Sequence, residues 1–385
     1  SSDLGTGDEA IAVLGHLDVV PAGDGWQTPP FTPTRDGDRM YGRGTSDDKG
    51  SVIASLLAMK AVRDAGIPLK RKIRLILGCD EESNWEDMAY YTAHADMPRI
   101  GFSPDASFPV INTEKGMLHF QLKAEAAKTG LQVKHWMTGE RVNVIPGHAE
   151  MLLEGGEALA EQVRAYAKET GLPYTAEVTA EGVKVTAEGI PGHSAYPEGR
   201  RNAIGMMLCL LLRLGVEGPL KTIAEAVGME HDGASLGCAC ADKVSGPLTC
   251  NMGIMRVENG QIFCTLDDRC PVEADQEKLI AATRAHLPGV QVEVIEQKAP
   301  HHVPAEGELV SSLLAAYHEE TGLPAEACST GGGTYAKVLE QGVAFGASFP
   351  DDEDLAHQAN EYATISGLMK SMRIYANALV RLAGE

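Results

Sequence analysis

The ten residues from Tyr41 to Gly50, YGRGTSDDKG, place two adjacent acids directly before a helical pattern. From Lys49 onward, KGSVIASLLAMKAVRDAG carries apolar residues at helical spacing, and Gly66 ends the pattern. Asp47 and Asp48 are therefore predicted at a helix N-terminus, where the helix dipole and free N–H groups stabilise negative charge. Two interpretations stay open from this stretch alone: metal ligands, or an N-cap with one extra acid.

Short apolar runs around this stretch predict buried strands of a parallel sheet, and each run ends in polar side chains. Residues 10–15 lead to His16 and Asp18, residues 72–79 lead to Glu81 and Glu82, and residues 100–102 lead to Asp105. In open α/β sheets, sites form at the carboxyl ends of the strands. The alternatives are a core histidine bonded to an aspartate and an ordinary turn aspartate after proline.

The pattern of apolar residues changes near residue 118 from that of an α/β domain to that of antiparallel strands, and it returns to α/β character near residue 300. Residues 118–125, 173–190 and 249–270 read as antiparallel strands, with helices at 156–170, 202–214 and 276–287 between and after them. The C-terminal part returns to α/β character with a helix at 308–321, a strand at 343–349 and a final helix from about residue 360. We predict an α/β domain formed by 1–118 and 303–385, interrupted by an α+β domain at 119–302.

The charge composition of the chain indicates which classes of binding partner it disfavours. The 385 residues carry 33 basic and 54 acidic side chains, a net charge of −21, which argues against nucleic acid or an anionic membrane as a partner. No apolar run has the length of a membrane span, and no basic leader precedes the first strand. The eight cysteines are scattered, and several lie in apolar strand or helix patterns, so we expect reduced thiols in apolar cores of a cytoplasmic protein.

Side chains from five separate segments make up one candidate metal centre. Two imidazoles and several carboxylates without thiolates suit a pair of divalent ions, zinc first and manganese second. A spare acid beside them would act as a general base. The candidates are His16, Asp18, Asp47, Asp48, Glu81, Glu82, Asp105 and His357.

Several motifs resemble the co-catalytic zinc peptidase family, which includes peptidase V, carnosinase-like dipeptidases, carboxypeptidase G and succinyl-diaminopimelate desuccinylase. They are GHLDVVP (15–21), GRGTSDDKG (42–50), DEES (80–83), SPDASFP (103–109), GHSAYP (192–197), GGGTYAKVL (331–339) and HQANEY (357–362). The sequence looks most like the bacterial peptidase V-type dipeptidases. The resemblance implies a catalytic domain with a mixed central sheet flanked by helices, plus an inserted lid domain.

The resemblance also implies roles for individual residues. Asp47 looks like the carboxylate that bridges two metals and is followed by a cis peptide, and Glu81 looks like the general base. Asp18 resembles the residue that orients His16, and His193 resembles the histidine that stabilises the oxyanion. The terminal metal ligands would be His16, Glu82, Asp105 and His357.

Substrate contacts are implied for Arg269, which would hold a terminal carboxylate, and for Asn143, Gly332 and Gly333. For Arg269 and Asn143 a surface ion pair and a turn asparagine remain alternatives. The implied activity is hydrolysis of dipeptides, in which Glu81 deprotonates a water that bridges the metals. The alternatives are an N-acyl amino acid deacylase and a non-catalytic metal or peptide sensor. In the family that the sequence resembles, dimeric members have a smaller lid and peptidase V-type members an enlarged one, so for an insertion of this length the resemblance implies a monomer, with a dimer as the alternative.

Overall fold

The computed structural model describes residues 1–353 and 355–384. The chain divides into two compact units, one formed by Ser1–Glu114 with His301–Glu385 and the other by Lys115–Pro300. The insertion predicted at 119–302 begins and ends within a few residues of this division.

The first unit opens with a run of strands interrupted by two helices. They are β1 (Ser2–Leu4), β2 (Ala10–His16), β3 (Thr34–Asp36), β4 (Arg39–Tyr41), α1 (Lys49–Asp64), β5 (Lys72–Gly78), α2 (Glu86–His94), β6 (Ile100–Ser103), β7 (Ala106–Ser107) and β8 (Val110–Glu114). The segment 21–40 is rich in Pro, Gly and Asp, a composition that predicts a loop, but it contains β3 and the start of β4, which pair with each other.

The second unit is built on long antiparallel strands. Its elements are β9 (Gly116–Glu125), β10 (Val133–Thr138), β11 (Val144–Ile145), β12 (His148–Leu153), α3 (Glu157–Thr170), β13 (Tyr174–Thr179), β14 (Gly182–Glu188), β15 (Gly192–His193), α4 (Ala203–Arg213), α5 (Pro219–Ala226), β16 (Ala241–Asp242), β17 (Gly246–Pro247), β18 (Thr249–Glu258), β19 (Gln261–Cys270), α6 (Gln276–His286) and β20 (Gln291–Lys298). Within the described residues, eight of these strands form one sheet in the order β13-β14-β12-β10-β18-β19-β9-β20. One apolar core lies against this sheet and includes Trp136, Phe120 and most of α4.

The chain then returns to the first unit. Its remaining elements are β21 (His301–His302), α7 (Glu308–Thr321), β22 (Ala327–Thr330), a 3₁₀ turn (Tyr335–Val338), β23 (Gln341–Ala344), β24 (Ala347–Ser348), β25 (Tyr362–Thr364) and α8 (Ile365–Ala383). The single strand expected at 343–349 is divided into β23 and β24 at a cis peptide between Gly346 and Ala347.

The central sheet of the first unit is mixed, as predicted. Among the described residues its order is β1-β5-β2-β6-β23-β8-β21, with β22 beside β8. Strands β5, β2, β6 and β23 run parallel, whereas β1 and β21 pair antiparallel at the edges. Alternate residues of β2 point to opposite faces: Ile11 and Val13 pack with α1, α7 and α8, and Ala12 and Leu14 pack on the other face.

Helix α1 begins where the sequence predicted. Its buried stripe includes Val52, Met59 and Val62, with small residues between them. The apolar side chains Ile53 and Leu56, also part of the predicted pattern, are about half exposed at 52% and 46%. The helix is therefore apolar on more of its circumference than the sheet covers.

None of the helices in the described part of the chain is both long enough and apolar enough to cross a bilayer. All eight cysteines fall within that part, and each is a free thiol. Cys79 and Cys328 are exposed, which corrects the expectation that the cysteines lie in apolar cores.

Candidate metal centre

The candidate ligands meet at one edge of the mixed sheet. Strands β5, β2 and β6 are parallel neighbours, so their carboxyl ends lie side by side. His16 is the last residue of β2, and the acids of residues 80–82 and Asp105 follow β5 and β6. Asp47 approaches the same edge from the loop before α1.

The carboxylate of Asp47 lies between two imidazoles. Its Oδ1 is 3.0 Å from Nε2 of His16, and its Oδ2 is 3.0 Å from Nε2 of His357. One carboxylate oxygen thus faces each ring nitrogen. This is the arrangement that a carboxylate shared by two cations requires.

Two further carboxylates separate the donors into two groups. Asp105 Oδ2 lies 3.7 Å from Nε2 of His16, whereas both oxygens of Glu82 lie 3.1 Å from Nε2 of His357. Two ligands of one tetrahedral zinc, each bonded at ~2.1 Å, lie roughly 3.4 Å apart. The observed spacings scatter around that value, so these donors lie close enough together to bind metal ions. Two groups of three donors have ligand atoms within 4.8 Å of one another: His16 with Asp47 and Glu82, and His16 with Asp48 and Asp105.

The pKa values of the ionisable groups in this centre also indicate a site for cations. Burial and the neighbouring carboxylates, Asp105 first, raise the pKa of Glu81 well above its usual range. Burial would lower the pKa of His16, but hydrogen bonds with Asp105 and Asp47 outweigh it and raise that pKa to about 12. Hydrogen bonds with Asp47 and Glu82 raise the pKa of His357 to about 10. Metal-free protein therefore holds protons on both rings, at the positions where metal ions would bind.

Asp18 fixes the tautomer of His16. The ring Nδ1 lies 3.1 Å from the carbonyl oxygen of Asp18 and 3.3 Å from its Oδ1, so Nδ1 donates and Nε2 is directed at the cluster. The two carboxylate oxygens of Asp18 also accept the backbone N–H groups of Glu81, at 3.3 Å, and Glu82, at 3.1 Å. One side chain therefore positions a predicted ligand histidine and the loop that carries the predicted base.

Asp48, the second acid of the opening stretch, is fully buried and engaged by the protein itself. Its Oδ2 accepts the backbone N–H of His16 at 3.1 Å, and its Oδ1 accepts from the hydroxyl of Ser51. Burial raises the pKa of Asp48 to about 7. Gly15 makes room for it, because a Cβ there would lie 2.6 Å from Asp48 Oδ2. The Asp48 carboxylate thus bonds the protein itself, and it also lies in a group of candidate metal donors with His16 and Asp105. The peptide between Asp47 and Asp48 is cis, as the resemblance implied.

Two aromatic side chains, Trp85 and Tyr335, form hydrogen bonds with the backbone of the loop that carries Glu81. Trp85 Nε1 donates to the carbonyl oxygen of Glu81 at 2.8 Å. Sequence reasoning missed Tyr335, a fully buried residue whose hydroxyl accepts from the Asp80 N–H at 3.2 Å and donates to Asp87 at 2.8 Å. The Tyr335 ring packs edge-on against His16 and Trp85. Its only sequence signal was its place in the motif GGGTYAKVL.

His357 adopts an unusual backbone conformation. Its φ is +64°, in the left-handed region that residues other than glycine rarely adopt. Asn360 has a similar φ of +63°, and its side chain accepts from the backbone N–H of Gln27 at 2.8 Å. The hydrogen bond between Gln27 and Asn360 stabilises the turn that contains His357 and Asn360. This turn directs the His357 ring at Asp47 and Glu82.

Three predicted residues lie in the second unit and are described within that unit. His193 is an exposed residue of β15, which pairs with β11 so that His193 stands opposite Val144. The carbonyl oxygen of Asn143 accepts the backbone N–H of Ser194 at 3.0 Å. The Nδ1 atom of His193 accepts the backbone N–H of Ala195 at 3.2 Å, so the ring in its neutral form carries its proton on Nε2.

Arg269 is 3% exposed, which excludes the surface ion pair considered for it. Its Nε lies 2.8 Å from Asp267 Oδ1 and its Nη2 lies 2.9 Å from Asp267 Oδ2, a two-point pair on β19. Ser194 Oγ donates to the same Asp267 at 2.5 Å. Buried Asp267 thus connects the strand of Arg269 to the residue that follows His193.

Gly332 and Gly333 lie in the loop between β22 and the 3₁₀ turn. Gly332 N–H donates to Thr330 Oγ1 at 3.0 Å. Glu114, a buried acid, accepts from Thr334 N at 3.1 Å and from Thr334 Oγ1 at 2.8 Å, which fixes the end of this loop.

Comparison with known proteins identifies the family of this chain. The family model described as "Peptidase family M20/M25/M40" matches residues 12–381. The chain belongs to this peptidase family. A Bacillus subtilis (strain 168) protein named "Putative dipeptidase YtjP" is 36% identical over 393 residues, covering 99% of this chain and 84% of the relative. A Staphylococcus saprophyticus relative named "Putative dipeptidase SSP1012" is 33% identical and covers 100% of this chain and 85% of the relative.

Solved structures of the family share the fold. An M20 family metallo-carboxypeptidase from Sulfolobus solfataricus aligns with a TM-score of 0.58 at 18% identity, covering 98% of this chain and 86% of that chain. Aminoacylhistidine dipeptidase from Vibrio alginolyticus aligns with a TM-score of 0.58 at 15% identity, covering 99% and 86%. The predicted family and the predicted fold class are confirmed. The protein is a peptidase hydrolase of a metal-dependent family, and its donor set fits divalent ions.

Proposed function

We propose that this peptidase is an aminoacyl-dipeptidase that uses two divalent ions, with zinc as the first choice and manganese as the second. The observation that carries the proposal is the position of Asp47, with one carboxylate oxygen facing His16 and the other facing His357. Dipeptidase names among relatives that match nearly the whole chain support the substrate class. A nitrogen and oxygen donor set without thiolate supports the choice of metals.

In this proposal Glu81 is the general base. When bound, the divalent ions supply Lewis-acid polarisation of the scissile carbonyl and lower the pKa of the attacking water. Glu81 accepts a proton from that water and passes it to the leaving amine. Burial and the neighbouring Asp105 raise the pKa of Glu81 well above its usual range in metal-free protein, which favours a carboxyl group that accepts a proton.

His193 would stabilise the oxyanion that forms on the substrate. Because its Nδ1 accepts from Ala195, the neutral ring carries its proton on Nε2, and this Nε2–H group would donate to the oxyanion. A single oxyanion donor typically contributes about 10²–10³-fold to kcat. Asn143, in the turn directly before β11, would also contact the substrate.

The ends of the dipeptide would be held by other residues. Arg269 would hold the terminal carboxylate, with Asp267 fixing the plane of its guanidinium. The backbone at Gly332 and Gly333 would lie along the substrate, in the loop fixed by Glu114. We propose a monomer in which all of these residues come from one chain.

The test is a substrate panel. Metal-free protein is supplied with zinc or manganese and assayed against unblocked dipeptides, tripeptides and N-acetyl amino acids. We expect hydrolysis of the dipeptides above all others, restored by metal and abolished by a chelator. Preference for the N-acetyl amino acids would instead favour the deacylase alternative, because a deacylase has no use for a free α-amino group.

A further inference from the structure

A buried glutamate outside the candidate metal ligands organises the loop that carries Asp47. Glu361 is 0% exposed. Its Oε1 accepts backbone N–H groups from Gly44 at 3.0 Å, Ser46 at 2.9 Å and Asp47 at 3.2 Å. The backbone oxygen of Glu361 accepts a further N–H from Gly42 at 3.0 Å. One residue therefore fixes the backbone that leads into Asp47.

The second oxygen of this carboxylate makes a buried ion pair. Oε2 of Glu361 lies 2.6 Å from Nη1 of Arg43, and the Arg43 side chain is 2% exposed. Arg43 Nη2 also donates to the carbonyl oxygens of Pro21, at 3.4 Å, and Ala22, at 3.2 Å. A buried ion pair returns little net stability, because desolvation offsets most of the attraction. A gain in folding stability alone therefore does not explain the buried ion pair between Arg43 and Glu361.

The pair joins the three segments that bring histidine and aspartate to the site. Pro21 and Ala22 follow the strand end that carries His16. The loop bound by Oε1 ends at Asp47. Glu361 itself lies four residues after His357, in the turn that holds the left-handed backbone of that histidine.

We propose that Glu361, paired with Arg43, is a positioning residue that holds Asp47 and His357 in the geometry that both metal ions need. It is not one of the candidate metal ligands, and it acts through the backbone N–H groups that its carboxylate accepts. This inference rests on the proposed metal centre. Partners that orient ligands typically contribute 10–100-fold to metal affinity.

The test is Glu361→Gln. Glutamine keeps the size and one acceptor oxygen but loses the charge that the N–H groups and Arg43 require. We expect zinc to bind 10–100-fold more weakly at both positions, measured by competition with a chromophoric chelator. The visible absorption spectrum of the Co²⁺-substituted protein should also change, because it reports the ligand geometry.

Glu114→Gln is the matched control. Glu114 is another buried glutamate of the same unit that accepts a backbone N–H group, but it fixes the glycine loop rather than Asp47. Its variant should keep wild-type zinc affinity and the wild-type Co²⁺ spectrum. If Glu114→Gln weakens zinc as much as Glu361→Gln, the effect is a general loss of stability and the inference is overturned.

The double variant Arg43→Gln/Glu361→Gln covers the case in which an unpaired buried arginine prevents folding. It removes both charges together, so neither is left uncompensated. Weak zinc binding in this folded variant supports the inference. If the wild type binds two zinc ions and the folded variants bind them equally well, only the inference fails. If the wild type does not bind two ions, the proposed metal centre fails and the inference falls with it.

Discussion

The Nε2 atom of His357 lies 3.0 Å from Oδ2 of Asp47, although the two residues are separated by most of the chain. The opposite oxygen of Asp47 faces His16 at the same distance. Removing this carboxylate would therefore affect both proposed ion positions, whereas removing one histidine would affect mainly one.

The metal content of single-residue variants should distinguish the loss of both ions from the loss of one. We expect Asp47→Ala to lower the occupancy of both ions, whereas His16→Ala and His357→Ala should each lower mainly one. Elemental analysis after dialysis against limiting zinc measures the result. Two full equivalents retained by Asp47→Ala would remove Asp47 from the bridging position.

Glu81→Gln should separate base catalysis from metal binding. Glutamine cannot accept the proton, so we expect kcat to fall by ~10²–10⁴ while the protein binds as much zinc as the wild type. Dipeptide turnover and zinc content are measured on the same sample. A variant with near-wild-type kcat would show that another group is the base.

Complementation should decide whether His193 acts within its own chain. For a monomer, a mixture of His193→Ala and Glu81→Ala proteins should be as inactive as either alone, because no chain has both groups. Recovery of activity on mixing would mean that His193 serves a partner's site, and the monomer proposal would be wrong. Size-exclusion chromatography with light scattering gives the oligomeric state independently.

The second unit should lose stability at alkaline pH through His119. Burial would lower the pKa of His119, but ion pairs with Asp267, 3.2 Å from Nε2, and Glu296, 2.7 Å from Nδ1, raise that pKa to about 9. The unfolded chain titrates near 6.5, so the stabilisation is complete below that pH and is lost as pH rises through 9. The shift corresponds to a contribution on the order of 3 kcal/mol.

Urea unfolding of His119→Gln and wild type at pH 6 and pH 10 measures this contribution. The difference in unfolding free energy should be large at pH 6 and much smaller at pH 10. The matched control is His148→Gln, because His148 also faces a glutamate, Glu188 at 2.7 Å, but both side chains are more than half exposed. Exposed pairs contribute about 0–1 kcal/mol, so its effect should be small at both pH values. Equal effects of the two substitutions would contradict the prediction.

Local patterns predicted the elements that position the site. Helix α1 begins at Lys49, as the apolar spacing after Asp48 indicated, and strands β2, β5 and β6 end where polar residues follow apolar runs. The fold class and the family followed from these patterns and from the motifs. Each of these features is encoded over a short stretch, because helix and strand periodicities depend on near neighbours.

Other features depended on contacts that no local pattern encodes. The exposure of Ile53 and Leu56 depends on which face of α1 the sheet covers, and the division of the strand at 343–349 depends on its pairing with β6 and β7. The buried two-point pair between Arg269 and Asp267 likewise followed from strand packing rather than from a local sequence pattern.

The sequence by itself determined the donor types of this protein: two imidazoles and a group of carboxylates at strand ends, without thiolate. Only the tertiary structure decided that Asp47 lies between His16 and His357, and that Glu361 and Arg43 hold the loop beneath it. The physical reason is the distance along the chain over which each kind of interaction acts. Residue type and periodicity act along the chain, whereas a shared carboxylate and a buried ion pair exist only after distant segments have packed together.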